Sequence, residues 1–481
     1  MHQYLQSLQM IKDLGIFKGD RTGTGTQSMF GQHERYDLRN NKLPVVTTKK
    51  IHLHSVIHEL IWMSSGDTRV DYLIRNGVRI WNEWVKPETA EYAPLDEYDL
   101  TIKIDKHIDG KWVLVFTTFD VENDIAIEDI QSFLAELSPE GVEAFWAQYP
   151  NIKDREDVKK IVKVNLVKWK EVESPDATHA TNFGFECMKR LHRLFFKSEP
   201  QRLIGGDLGA VYGKTWRNID DVRIIPKLEW VDYEKRGFTF VVDIPGTDTA
   251  TDQCVIRRRI DQLQDVMDQL ANGPDSRRII VCAWDPRLVE DQALPPCHCF
   301  FQFWTRELNL EERLNAYQDR LDAQAAFDPA RGLPPIRSVE NFKSSLCALN
   351  KPSDVTEEFM HSWLDNVQAP RRGLSCHLYQ RSVDTFLGKP FNITFYSLMT
   401  HQLANQFNMA AEEFIWTGGD CHIYSNHQEQ TDLQLTREPY DTPRILFKPE
   451  VYGKDQREIT PDDFVILGYE SHPHIAGKVA V

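Results

Sequence analysis

Residues 277–304 read RRIIVCAWDPRLVEDQALPPCHCFFQFW, two apolar runs either side of a cysteine fixed behind prolines. RRIIVCAW and CHCFFQFW have the length and composition of buried strands. Between them ALPPCH, Ala293 to His298, sets Cys297 behind two prolines and beside a histidine. A cysteine so fixed is a candidate thiolate nucleophile. Taken alone, the run reads better as an inert buried thiol packing as a small hydrophobe.

Working outward, Ile260, Leu263, Met267 and Leu270 recur at helical spacing, and NGPDS turns the chain into the first strand. Three more stretches share this dense texture. Residues 1–86 carry a helix over 2–15, a Gly-Thr turn at 22–26, a strand near 28–38 and a helix from His54 to Met63. Gly206 to Arg217 is a second compact piece. Leu374 to Val481 holds a strand (LSCHLYQRS), a loop (DTFLGKP) and a long helix from Phe391 to Phe407. Residues 87–205, 218–256 and 306–372 are richer in charge, yet KWVLVFTTF reads as strand and IEDIQSFLAEL as helix. None of the dense stretches has a complete core of its own. The pattern therefore predicts an α/β (α+β) fold. It forms one catalytic domain over 1–481 with insertions at about 87–205, 218–256 and 306–372.

The 481 residues are 41% hydrophobic and 27% charged, with a net charge of −16. That balance argues against broad nucleic-acid or acidic-membrane binding, which needs clustered Lys and Arg. A small anion needs only a few converging arginines. The eight cysteines are sparse and irregular, which points to a reduced, cytoplasmic setting and not to a disulfide framework. The opening MHQYLQSLQMIKDLG has apolar residues at helical spacing and no continuous apolar core, so it does not read as a signal peptide. No stretch approaches the roughly 20 apolar residues of a membrane span.

Several constellations carry possible chemistry. DRTGTGT, Asp20 to Thr26, joins Arg21 to a flexible loop of N–H and hydroxyl donors that can fold over an anion, or is a tight turn. QRSVDTFLGKPFN, Gln380 to Asn392, sets Arg381 and Ser382 as a phosphate-binding pair and Asn392 as an amide able to read a base edge. The alternative is a charged strand end and a capped helix. Arg277 and Arg278 are adjacent at a strand start, so both serve one ligand only at a strand end or across an interface; solvated surface is the alternative. HLHSVIHELIW lacks the zinc-protease order, leaving Glu59 as a desolvated general acid/base or a paired core carboxylate. Cys-His occurs three times, at Cys297, Cys376 and Cys421, but strand alternation sends neighbours to opposite faces and there is no CxxC pair.

DRTGTGT, TTKK, HELIW, IWNEW, GDLGAVYGKTWR, PDSRRII, ALPPCH, QRSVDTFLGKPFN, GGDCHIYSNH and a C-terminal VAV occur in this order. The chain resembles the thymidylate synthase family. The likeness covers the four dense stretches and leaves the interruptions without a counterpart. It implies a mixed sheet packed with helices, and one-carbon transfer to C5 of a deoxypyrimidine monophosphate from 5,10-methylene-tetrahydrofolate, with no metal. Cys297 matches the nucleophile that adds to C6, and Glu59 the residue that manages protons through ordered water. Tyr212 matches the tyrosine that helps remove the C5 proton, and His298 the histidine beside the nucleophile. Arg21 and Arg381, with Ser382, match phosphate ligands, and Gln380 a further substrate-binding residue. Arg277 and Arg278 match arginines donated by the other subunit, which implies a two-fold homodimer through the sheet. Asn392 matches the base-reading amide and favours dUMP over dCMP. His422 and Tyr424 match contacts to the sugar hydroxyl. Asp384 matches the pterin ligand and Lys49 a contact near the glutamate tail. Trp81, Trp84, Leu387, Gly388, Phe391 and Val481 match the wall around the folate.

The chain departs from the family pattern at Ser64-Ser65, Ala210, Lys389 and Phe395. Each lies near the implied site, so pocket volume or water access is expected to change. The family also includes deoxypyrimidine hydroxymethylases, associated with phages that carry modified bases, in which water and not hydride quenches the C5 methylene. The retained Trp81 and Val481 favour the dry outcome, reductive methylation to dTMP. The alternatives are a dUMP hydroxymethylase and a regulatory homologue with a dead site.

Overall fold

The computed structural model describes residues 1–94, 100–108, 111–118, 166–170, 201–246, 252–328 and 338–479. They form two compact units, Met1–Thr89 with Gly206–Val481, and Ala90–Gly205. The first is built on a six-stranded sheet. In chain order its strands are β1 (Ile16–Lys18), β2 (Thr26–Asp37), β3 (Ile280–Cys282), β4 (His298–Glu307), β5 (Arg372–Asp384) and β6 (Ala410–Tyr424). Their spatial order is β1-β2-β6-β5-β4-β3. Every pairing is antiparallel except β5 with β6.

Burial alternates along β2, β4 and β6, as expected where one face is core and the other is not. Phe301, Phe303, Leu378 and Phe414 point into the core, whereas Phe30 (83% exposed), Trp304 (54%) and Tyr379 (38%) point away from it. The helices that position the site are α1 (His2–Leu14), α2 (Leu53–Ser65), α3 (Tyr212–Arg217), α4 (Gln262–Asn272) and α5 (Gly388–Gln406). The parallel pair requires a crossover, and α5 supplies it. Nearly every α5 residue is buried, so the helix has no polar face. Its hydroxyls bond back one turn, Ser397 to the Ile393 carbonyl and Thr400 to the Tyr396 carbonyl, both at 2.7 Å. Gly66 ends α2 at φ 86, the left-handed conformation in which glycine carries no Cβ penalty.

Two sequence expectations shift here. Ile260 belongs to a strand, Gln253–Ile260, and not to the helical stripe. Asp261 separates the two elements, its carboxylate accepting the Gln264 amide as an N-cap. Arg277 and Arg278 sit in a turn ahead of the ordered strand, because β3 begins only at Ile280.

Within 218–256 an antiparallel sheet of Ile219–Pro226, Gln253–Ile260 and Thr239–Ile244 packs Ile225, Phe238, Cys254 and Ile256 together. Within 306–372 three helices, Leu310–Phe327, Val339–Cys347 and Glu357–Asn366, share a core of Leu314, Phe342, Leu346, Met360 and Leu364. Asn309, Ser338 and Thr356 cap their N-termini. The second unit holds an antiparallel pair, Glu91–Pro94 with Gln201–Gly205, and a three-stranded sheet of Leu100–Ile108, Lys111–Thr118 and Leu166–Lys170. KWVLVFTT is its central strand. The IEDIQSFLAEL segment lies outside the described residues.

Candidate active site

Cys297 lies one residue before β4, half-buried. Burial pushes its thiol up, and the Arg381 cation pulls it back down. Arg381 is locked to the same segment. Its guanidinium donates to the carbonyls of Pro296 at 3.0 Å and Pro295 at 2.8 Å, and its amide to that of Cys297 at 2.9 Å. The guanidinium stands 5.2 Å from the Trp284 ring centroid. The two prolines therefore expose carbonyls that hold a cation against the thiol.

Tyr212, the first residue of α3, reaches the same turn. Its phenol oxygen accepts the backbone amides of Cys297 at 2.9 Å and His298 at 3.3 Å. On the other side of Tyr212, α2 presents Glu59, 6% exposed. The Trp81 indole donates to Glu59 Oε1 at 2.8 Å, and its ring lies 6.0 Å from that of Tyr212. Burial raises the Glu59 carboxyl to about 7, and the Trp81 bond opposes the rise. Tyr212 feels the charge of both Cys297 and Glu59, which adds to burial in holding its phenol well above 10.

His298 and Asn392 close the floor. Burial holds the imidazole at about 4, so it is neutral, with the Asn392 side chain opposing the shift. Tyr396, on α5, places its hydroxyl 3.3 Å from His298 Nδ1. Asn392 Oδ1 accepts from Gln380 Nε2 at 3.0 Å. Gln380 Oε1 in turn accepts the Trp416 indole N–H at 3.1 Å.

The polar wall comes from the ends of β2, β5 and β6. His422 Nδ1 lies 3.3 Å from Asp420 Oδ1, and its ring stacks edge-on to Tyr424 at 5.0 Å. Burial, reinforced by Asp384 and Asp20, pushes the Tyr424 phenol up to about 12. Asp384 Oδ1 accepts the Phe386 and Leu387 amides at 3.0 and 2.9 Å, which fixes the carboxylate at the start of α5. Ser382 is half-buried beside Arg381. In the DRTGTGT loop, Asp20 takes the amides of Thr22 at 2.9 Å and Gly25 at 2.7 Å and leaves Arg21 exposed. A Cβ on Gly25 (φ 80) would meet the Phe17 ring at 2.8 Å, so the tight loop requires glycine there.

A family model for thymidylate synthase matches residues 2–325 and 351–481. The chain belongs to the thymidylate synthase family. The match runs through 87–205 and 218–256 as well, further than the four dense stretches. Family members bind dUMP and a folate and use methylene-tetrahydrofolate.

Cys297, Tyr212, Glu59, Trp81, His298, Asn392, Gln380 and Arg381 form one continuous set of contacts in this thymidylate synthase-family chain. Trp84, half-buried, extends it with a ring 5.8 Å from that of Trp81. Leu387, Gly388 and Phe391 are half-buried at the start of α5. Lys49 is not presented at the surface. It is 3% exposed, bonds the Phe386 carbonyl and stands 3.5 Å over the Phe386 ring, and burial lowers it to about 7. Arg277 and Arg278 are exposed, and neither guanidinium has a hydrogen bond or ion pair among the described residues. Val481 lies outside the described residues.

The departures resolve differently. Phe395 packs against His298, with ring centroids 6.4 Å apart. Ser64 Oγ accepts from the distant Gln456 Nε2 at 3.2 Å, and Ser65 Oγ donates one turn back to the Trp62 carbonyl at 2.7 Å. The Ala210 carbonyl accepts from Gln292 at 2.7 Å. Lys389 enters the core on Glu34 and Ser7, because those two acceptors satisfy its ammonium there. Motif reading missed Tyr396, Trp416 and Trp284; each acts through tertiary contact and carries no local signature. No three or more His, Cys, Asp or Glu among the described residues group as a metal site, and no described helix is long and apolar enough to cross a membrane.

Proposed function

We propose that the protein transfers a one-carbon unit to C5 of dUMP through a covalent bond between Cys297 Sγ and C6, ending in reductive methylation to dTMP. What carries the reading is a cation-backed thiol at Cys297 and a carboxyl near neutrality at Glu59, joined through Trp81 and Tyr212. C5 of a uracil is a poor nucleophile until C6 is saturated. The Cys297 thiolate forms the S–C6 bond, and the C5=C6 electron pair moves onto C5 and O4. C5 then bonds the one-carbon unit and must lose its proton. Tyr212, whose oxygen already accepts two amides, keeps its own O–H to orient a water for that step, and Glu59 exchanges protons through it. Breaking the S–C6 bond returns the thiolate. Methylene-tetrahydrofolate, as co-substrate, supplies the one-carbon unit and, for methylation, the hydride.

Arg21, Arg381 and Ser382 hold the phosphate. Arg277 and Arg278 serve the site of a second copy, which accounts for two guanidinia without a partner among the described residues and for the exposed Phe30, Trp304 and Tyr379 on one sheet. Asn392 pairs with O4 and N3–H of uracil, and His422 and Tyr424 hold the sugar. Asp384 keeps Oδ2 for the pterin ring, with Trp81, Trp84, Leu387, Gly388, Phe391 and Val481 as the wall and Lys49 beneath it. The segments 218–256 and 306–372 are insertions carried by the catalytic unit.

A second reading is that water quenches the methylene to give 5-hydroxymethyl-dUMP; its motive is the altered wall, in which Phe395 lies against His298. One experiment separates the two: mix protein, dUMP and methylene-tetrahydrofolate, follow dihydrofolate absorbance and identify the nucleotide by mass. Dihydrofolate with dTMP supports methylation. A hydroxymethyl nucleotide without dihydrofolate supports the second reading. No turnover with dUMP or dCMP leaves only a regulatory homologue.

A further inference from the structure

Lys389 and Glu34, 355 residues apart, form a buried ion pair, Nζ to Oε1 at 2.6 Å, with Lys389 fully buried. Ser7 Oγ takes a second Lys389 proton at 2.8 Å, and the other Glu34 oxygen accepts the Tyr36 hydroxyl. Such a pair gains little stability over an apolar one, since desolvating both charges offsets their attraction. Its position has a more specific consequence. The ammonium stands 3.7 Å from the centroid of the Trp416 ring. A cation over an indole face holds the plane of the ring and makes its N–H more polar. The ring lies close over Gly418, where an added Cβ would meet Trp416 Cη2 at 2.4 Å, so glycine is what leaves the indole its room.

From Trp416 the contacts run to the base-reading side chain. Indole nitrogen only donates, so the Gln380 amide must turn Oε1 towards it, at 3.1 Å. Gln380 Nε2 then faces Asn392 Oδ1, at 3.0 Å. That leaves Asn392 with one fixed presentation of donor and acceptor. A flipped amide would exchange them and read a different base edge. All four side chains are buried, so bulk water does not compete for these bonds.

We propose that the Lys389–Glu34 pair positions the Asn392 amide through Trp416 and Gln380, and thereby sharpens preference for a uracil edge over a cytosine edge. The proposal rests on the reading of Asn392 given above.

The test uses K389M and, because that change strands Glu34, the double variant E34M/K389M, which restores an apolar contact. The first readout needs no substrate: the indole ¹⁵N–¹H resonance of Trp416, identified by its absence from W416F. It shifts upfield in both variants if the cation polarises the ring. The second is steady-state kinetics with dUMP and dCMP. The double variant should raise KM for dUMP roughly fivefold, the size of one weakened hydrogen bond, with kcat within about twofold. Its dUMP/dCMP preference should fall by a similar factor. An unmoved Trp416 resonance, an unchanged KM and preference in the folded double variant, or a loss confined to kcat would overturn the proposal. If the wild-type protein turns over neither nucleotide, the dUMP reading fails, and the indole resonance still decides the link from Lys389 to Trp416.

Discussion

The backbone amide of Cys297 donates to the Tyr212 phenol oxygen at 2.9 Å. The nucleophile's turn is thus pinned by a side chain from a segment 85 residues earlier, and with the His298 amide on the same oxygen the phenol has one proton left to give. Position of the thiol and availability of the tyrosine proton are set by the same atom.

Tyr212→Phe removes that atom and strands two backbone amides. We expect a loss of about 1–3 kcal/mol in urea unfolding, together with a fall in kcat. Unchanged stability would mean that the two amides find another acceptor.

Cys297→Ser should abolish product formation by at least about a thousandfold, because an alcohol cannot replace a thiolate at C6. Binding of dUMP, measured by calorimetry without folate, should persist. Residual turnover near the wild-type rate would remove Cys297 from the chemistry.

Glu59 gives a pH signature. Its folded carboxyl sits at about 7 against an ordinary 4.5. Below 4.5 both states are protonated. As pH rises towards 7 the unfolded chain ionises first, so stability falls across that window and levels off above it. Glu59→Gln should remove the fall and be more stable at pH 8 by on the order of 3 kcal/mol. Its kcat should drop by roughly 10²–10⁴. Denaturant titrations at pH 5 and pH 8 check the first claim; a parallel pH dependence in both proteins would contradict it.

The exposed Arg277 and Arg278 predict complementation between copies. A variant with Arg277→Ala and Arg278→Ala, and a second with Cys297→Ser, should each be inactive. Mixed and allowed to exchange subunits, they should recover about a quarter of wild-type activity, since a two-fold dimer of the two variants has one intact site. No recovery after confirmed exchange would place Arg277 and Arg278 in the site of their own chain.

Much of this was legible in the sequence because it is local. The runs around ALPPCH became β3 and β4, LSCHLYQRS became part of β5, and α5 begins three residues earlier than the Phe391 start that periodicity gave. Glu59 in an apolar helix did become a desolvated carboxyl. Ile260 failed because the spacing continued by chance across the Asp261 cap. The place of Lys389 was unreadable for a different reason: position beside Pro390 says nothing about an acceptor at Glu34, which is 355 residues away in the chain. Trp416 and Tyr396 are unreadable for the same cause, since a buried aromatic looks alike whether it packs or donates.

The pairing of β2 with β6 joins Thr26 to Tyr424. During synthesis the first long strand must wait for the last. At ribosomal speeds that delay is roughly 20–80 s. Throughout it the paired face of β2 has no neighbour on its β6 side, so the nascent chain carries an open strand edge for most of its translation. Chaperone dependence in expression, relieved by slower growth temperatures, follows from this order of emergence.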